Sequence, residues 1–174
     1  MKSAFRIPHS AFAEAEWGPV PFDEAIEFFS GKLPMSTKEF YDLAKEARVR
    51  AFTVSDVAGM DALGDIQDSL SKALAEGQSF GDWKKGAGEL LKKWAIDGFR
   101  AETIFRSNIQ TAYQVGHYQQ MTDPDVLRER PYWRYVAVMD DRTREEHAEW
   151  HGTVLPADDP WWNTHYPPNG WRCR

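Results

Sequence analysis

Cysteine is almost missing from this chain: one, Cys173, among 174 residues. No internal disulfide can form, so the roles open to that thiol are a buried hydrophobe, a metal ligand or a nucleophile. Long apolar runs are missing too. No window approaches the roughly 20 apolar residues that a membrane-spanning helix needs, and the opening MKSAFRIPHSAF lacks the continuous apolar core of a secretory signal. These features read as a protein made in a cytosol and not exported through a membrane. There is no run of Lys or Arg either, and 21 basic against 27 acidic side chains leave a net charge of -6. Duplex affinity comes largely from clustered positive charge facing phosphates, so no dedicated nucleic-acid binding is expected. Internal repeats and low-complexity segments are absent from the sequence.

What is present is aromatic. Eight tryptophans and an aromatic share of 14% suit interfaces as well as cores, and 42% apolar residues can fill a core at this length. The first twenty residues hold no sustained period and read as an arm stiffened by Pro19 and Pro21. From there the pattern is helical. Phe22, Ile26 and Phe29 share a face that Gly31 and Pro34 terminate. Ser36 with Glu39 forms a capping box, Met35 can staple to Phe40, and Phe40, Leu43, Ala44 and Ala47 continue one stripe. The run Val49 to Ser55 reads either as an extended connector or as more of that helix. A third helix, capped by Ser55 or Asp56, carries Met60, Leu63, Ile66, Leu70 and Leu74 and ends at Gly77. Ser79 with Asp82 opens a fourth through Trp83, Leu90, Leu91 and Trp94, weakened by the interior Gly86 and Gly88. The fifth, Phe99 to about Gln120, is the most periodic and stops at Asp123 and Pro124.

After Pro131 the period changes. Trp133 to Met139 is aromatic and β-branched, a strand pattern that Thr153 to Leu155 could pair with. Between them Thr143 and Glu146 suggest a second capping box, so Arg144 to His151 is expected to be a short helix ended by Gly152 in the left-handed region. From Pro156 the prolines argue against regular structure, and Trp150, Trp161 and Trp162 are expected to anchor the tail by burial. The fold class expected is α+β: a mainly helical N-terminal region, then a small β-containing module with an irregular aromatic and proline-rich tail.

The chemistry-bearing residues gather late in the sequence. His147 and His151 stand at i and i+4, which on a helix would turn both imidazoles to one side, a spacing suited to one metal ion. A zinc peptidase would need a glutamate beside them as base. Glu149 instead points roughly 200° from His147 at about 100° per residue, so that reading fails. A nuclease recruiting His147, Asn163 and His165 would need two strands and a helix closing on one metal, against a proline-rich connection. A structural zinc could draw on His147, His151, His165 and Cys173, whereas the plainer alternative has the histidines bonded to backbone carbonyls in an aromatic corner. Cys173 as a nucleophile has flanking arginines to favour thiolate but no base beside it in the sequence. Arg106 and Asn108, inside the fifth helix, read as solvated-face residues. Asp140, Asp141 and Arg142 read as a turn.

In order, FRSNIQTAYQVGHYQQ, the strand, DDRTREEHAEWHGTVLPADDPWW and PPNGWRCR resemble the phage Mu protein F-like head morphogenesis family, the minor head proteins of tailed phages. The likeness runs over residues 51–174, behind an N-terminal arm and short helices at 1–50; the segment from Phe22 to Val57 is also similar to the helical region that precedes this domain in many members. Its signature positions are Arg106, Asn108, Asp141, Arg142, Thr143, His147, Gly152, Pro167, Pro168 and Cys173. The resemblance implies a non-enzymatic structural protein acting in head morphogenesis at the portal vertex, with phage portal, capsid or scaffold proteins as partners. It would be found in the virion and, during assembly, in the host cytoplasm. Many members carry Cys-x2-Cys where Arg144 and His147 stand, and end in Cys-Arg-Cys where this chain has Cys173 and Arg174. The resemblance thus implies a zinc site that Arg144 cannot serve, and a domain cut short at Arg174. Two other readings stay open: a metal-dependent zinc enzyme such as a nuclease, and a toxin-delivery adaptor domain.

Overall fold

The computed structural model describes residues 22–44, 47–55, 57 and 59–169. Among them the fold is mixed α+β and mostly helical, with short strands in two separate pairs. The expected fold class holds.

Helix α1 (Asp23–Ser30) packs along α6 (Gly98–Met121) more extensively than any other pair of elements, and α3 (Met60–Ala75) lies against both. Their stripes meet in one core with Phe29, Leu63, Ile66, Leu70, Ala101 and Ile104. Burying a side chain of this size stabilises by about 1.5–3 kcal/mol each, so these elements hold one another. The core draws on both sides of residue 50: Ala25 and Phe29 belong to it alongside α3 and α6.

The local signals act as the sequence suggests in several places. The capping box at α2 (Thr37–Asp42) is complete, with the Ser36 side chain accepting from the Glu39 amide and the Glu39 carboxylate accepting from the Ser36 amide at 2.9 Å. The Ser36 hydroxyl, which donates to the same carboxylate at 2.7 Å, and then the Ser36 amide hold the Glu39 carboxyl below its usual range. Asp97 caps α6 by accepting from the Arg100 amide at 2.8 Å. Gly77, at φ 61°, closes α3.

Four expectations change. α2 stops at Asp42, and the stretch beyond it forms a 3-10 turn at Ala47–Arg50 and then β2 (Ala51–Phe52), which pairs in parallel with β1 (Leu33–Pro34). α3 starts at Met60 with Gly59 as its N-cap, not at the Ser55 or Asp56 cap. The fourth helix divides at Ala87 into α4 (Phe80–Gly86) and α5 (Gly88–Lys93), because two glycines about Ala87 give the backbone freedom at the point where Trp83 and Leu91 must both reach the core. Asp123 and Pro124 do stop α6, but they also start α7 (Pro124–Glu129): Asp123 Oδ1 accepts from the Asp125 amide at 2.9 Å and Pro124 sits where no amide donor is needed.

The C-terminal module has its own cluster, centred on Trp133, Tyr135, Ala137 and Trp162. Strand β3 (Tyr132–Arg134) pairs antiparallel with β4 (Val154–Pro156), Trp133 standing opposite Leu155. Helix α8 (Glu145–Trp150) follows the turn at Asp140, and the tail, expected to be irregular throughout, makes one further turn of helix, α9 (Trp162–His165). Among the described residues no helix is long and apolar enough to cross a membrane.

Candidate functional site

Alternation carries past the end of β3. Trp133, Tyr135 and Ala137 are buried while Arg134, Val136 and Val138 are exposed, the period of a strand with one face on the core. Tyr135 exchanges backbone bonds with the other side, its amide donating to Thr153 at 2.9 Å and its carbonyl accepting from Gly152 at 2.9 Å. Gly152, at φ 86°, is in the left-handed conformation expected of it, which lets the chain leave α8 and enter β4 directly. One rung further the ladder borrows a side chain. The Ala137 amide donates to His151 Nδ1 at 3.1 Å.

That bond decides the geometry of the histidines. α8 ends at Trp150, and His151 has left the helix, with φ -57° and ψ 128°. The one-face arrangement of His147 and His151 needed both on helical backbone, so the i, i+4 spacing does not apply. His147 is buried instead, stacked on Trp150 with centroids 5.2 Å apart and edge-on to Tyr135. His165 stacks on Trp161 at 3.9 Å and meets Trp150 edge-on at 4.5 Å. Its Nδ1 lies 2.8 Å from the Trp161 carbonyl. Trp150 is thus the ring that His147 and His165 share. Trp162 is buried, as expected, and its indole donates to the Pro156 carbonyl at 2.9 Å, whereas Trp150 and Trp161 are half-buried.

Among the described residues no group of three or more His, Cys, Asp or Glu side chains comes together as a metal-binding set. Cys173 lies outside the described residues. The described histidines therefore do not make a zinc shell by themselves; their contacts are those of an aromatic corner.

The turn before α8 is built otherwise than expected. Thr143 does not cap the helix: its hydroxyl accepts from the Asp140 amide at 3.1 Å and donates to the Asp140 carboxylate at 3.2 Å. The Asp140 carboxylate also accepts from the Arg142 amide, and Arg144 stands at the N-cap, its side chain making no capping bond to the helix. Arg144 spans to the tail and donates to the Asn169 carbonyl at 2.8 Å, while Asn169 donates to the His165 carbonyl. Pro167 and Pro168, half-buried, precede that anchor. Asp141 and Arg142 are exposed. On α6, Arg106 is exposed and paired with Glu102 at 2.7 Å, as a solvated-face residue should be. Asn108 is half-buried and donates to the Ile104 carbonyl.

Asn108 also borders a cleft of about 440 Å³ that sequence reading missed. Its floor comes from α6 and its walls from α2, β2 and the segment after β2. Lys32 reaches into it from the end of α1, and burial pushes its ammonium down to a pKa of about 8. The hydroxyls of Thr53 and Ser107, both residues lining it, are buried without a hydrogen-bond partner among the described residues. No sequence signal groups residues 32, 53 and 107; only the packing of α1 and β2 on α6 does.

The chain belongs to the phage Mu protein F like protein family, which matches residues 64–174, more than half its length. It is 38% identical over 187 aligned positions to protein F of Escherichia phage Mu, named for capsid assembly, covering 97% of this chain and 42% of that protein. The Mu-like prophage FluMu F protein of Haemophilus influenzae is 38% identical over 154 positions, covering 79% of this chain and 36% of that protein. The chain spans about two fifths of the length of these curated relatives. No solved structure matches it.

Proposed function

We propose that this chain is a structural, non-catalytic component of head assembly in a tailed phage or prophage, built in the host cytoplasm and retained in the virion. The observation that carries the reading is identity of 38% along 97% of the chain to a protein named for capsid assembly. Its outer surface suits such work. Tyr132, Val136, Val138 and Val154 leave apolar side chains exposed on the β3–β4 ribbon, the kind of surface that assembly contacts cover. The finer reading places its action at the portal vertex, with portal, capsid or scaffold proteins as partners; what supports it is the head-morphogenesis character of the family. Deleting the gene from its phage or prophage, inducing, and imaging the particles tests the proposal. Loss of DNA-filled heads together with detection of the chain in wild-type particles is expected, and normal heads in its absence would sink the reading. Cross-linking of intact particles tests the vertex: links to the portal are expected, and links confined to the capsid shell would remove that location.

A further inference from the structure

The α6 wall of the cleft is a single helical stripe: Arg100, Thr103, Ile104, Ser107, Asn108 and Thr111. From Arg100 to Thr111, eleven steps of about 1.5 Å make it about 16 Å long, the span of roughly five residues of extended chain. Opposite stand the apolar surfaces of Phe40, Tyr41 and Val54. Three cations lie along it, Lys32, Arg48 and Arg100, and no Asp or Glu is among the described lining residues.

None of these cations leans on a carboxylate in its described contacts. Arg48 donates to the carbonyls of Leu43 at 3.2 Å and Tyr41 at 2.8 Å, with its guanidinium over the Phe40 and Tyr41 rings. Arg100 donates to the Ser55 carbonyl, and Lys32 to that of Ala51 at 3.4 Å, a long bond. In a chain of net charge -6, a cleft carrying three cations and no carboxylate among its described lining residues is a local reversal of sign. Thr53 and Ser107 also line it, and their hydroxyls are buried beneath its surface without a hydrogen-bond partner among the described residues.

We propose that this cleft is a docking site for a short extended segment of a partner protein in which acidic residues alternate with large apolar ones. Apolar side chains of the segment pack between Ile104 and the Phe40–Tyr41 wall, and its carboxylates pair with Lys32, Arg48 and Arg100. Sign complementarity selects acid over base, and the apolar walls select a peptide over a bare polyanion. The inference stands on the chemistry of the cleft and does not rest on the head-assembly reading.

The test is fluorescence anisotropy of the full chain with three labelled peptides of about six residues, long enough for the groove: one alternating Glu with Phe and Leu, its Gln counterpart and its Lys counterpart. Binding of the Glu peptide at least tenfold tighter than either counterpart is expected, weakening at high salt. Arg48→Gln and Arg100→Gln should each lower that affinity several-fold, and Thr103→Trp, which fills the floor from a residue outside the core, should abolish it. Circular dichroism and melting of each variant show whether it is folded, and a folded Arg100→Gln variant with undiminished affinity overturns the proposal. So does equal binding of the Glu and Gln peptides. Two other occupants are distinguishable. If Glu14→Gln with Glu16→Gln in the full chain strongly tightens peptide binding, the chain's own N-terminal segment is the occupant and the partner proposal falls. If the chain self-associates and the Glu peptide reverses it, the occupant is a second copy and the proposal falls as well.

Discussion

Gly116 of α6 faces the first turn of α1 so closely that a Cβ there would stand 2.8 Å from the amide nitrogen of Ala25 and 3.0 Å from Cζ of Phe22. That approach lets the two helices share the main core, and backbone cannot yield as a flexible side chain can. Gly116→Ala should therefore destabilise by about 1–3 kcal/mol from overpacking, despite a helix propensity gain of about 1 kcal/mol. Gly64 of α3 has nothing within 4 Å of the same position, so Gly64→Ala should stabilise by up to about 1 kcal/mol. Chemical denaturation of the two variants reads both; a Gly116→Ala variant as stable as wild type would mean the α1–α6 contact is looser than described.

His151 supplies an acceptor where a strand would supply a carbonyl. His151→Leu leaves the Ala137 amide without it and should cost about 1–3 kcal/mol. Amide hydrogen exchange gives the sharper readout: the Ala137 amide should lose protection far more than that of Tyr135, which bonds backbone. Unchanged protection at Ala137 would dismiss the role.

The Trp162 indole both fills the C-terminal cluster and bonds the Pro156 carbonyl. Trp162→Phe should lose the bond and part of the packing, about 1–2 kcal/mol. Trp162→Ala should lose about 3–5 kcal/mol, enough to loosen β4 and the tail together. Near-equal melting temperatures for the two variants would show that the ring's volume carries little.

Lys32 makes stability rise with pH. Burial lowers its pKa from 10.5 to about 8, so below pH 8 both folded and unfolded chains are protonated and the folded state bears the cost of a desolvated charge. Between pH 8 and 10.5 the unfolded chain keeps the proton that the folded chain has released, and stability increases across that window. Lys32→Met should stabilise the protein at pH 7 by on the order of 1–3 kcal/mol and flatten its pH profile between 8 and 10.5. A variant less stable than wild type at pH 7 would mean that the Ala51 carbonyl bond outweighs desolvation.

Zinc remains a direct measurement. The rings of His147 and His165 both contact Trp150, and His151 is bonded to the Ala137 amide, so chelation is expected to leave the melting temperature unchanged. A fall of several degrees, with zinc near one equivalent by elemental analysis, would mean that Cys173 completes a shell with residues outside those described.

Local signals explain what could be read in advance. A capping box joins residues three apart, an apolar stripe repeats within one helix, and a left-handed glycine closes its own turn, so α1, the Ser36 cap, α6 and Gly152 were legible from spacing alone. The Trp133 strand was legible for the same reason: alternation is a property of consecutive residues. The competing uses of one side chain were not. Thr143 had both a glutamate at the capping distance and an aspartate behind it, and it bonds Asp140. His151 had helical spacing from His147, but the ladder beside β4 offered an unpaired amide and took it.

The sequence by itself determined the main helical segments and several of their ends, and that the last third changes to strand and aromatic corner, because each of these follows from interactions a few residues long. Tertiary structure alone decided that α1 and α6 touch at Gly116, that His147 turns inward against Trp150, and that Lys32, Arg48 and Arg100 line one cleft. Those outcomes depend on groups brought together from far along the chain, where packing and the demand that buried polar groups find partners choose among arrangements that local preference leaves equal.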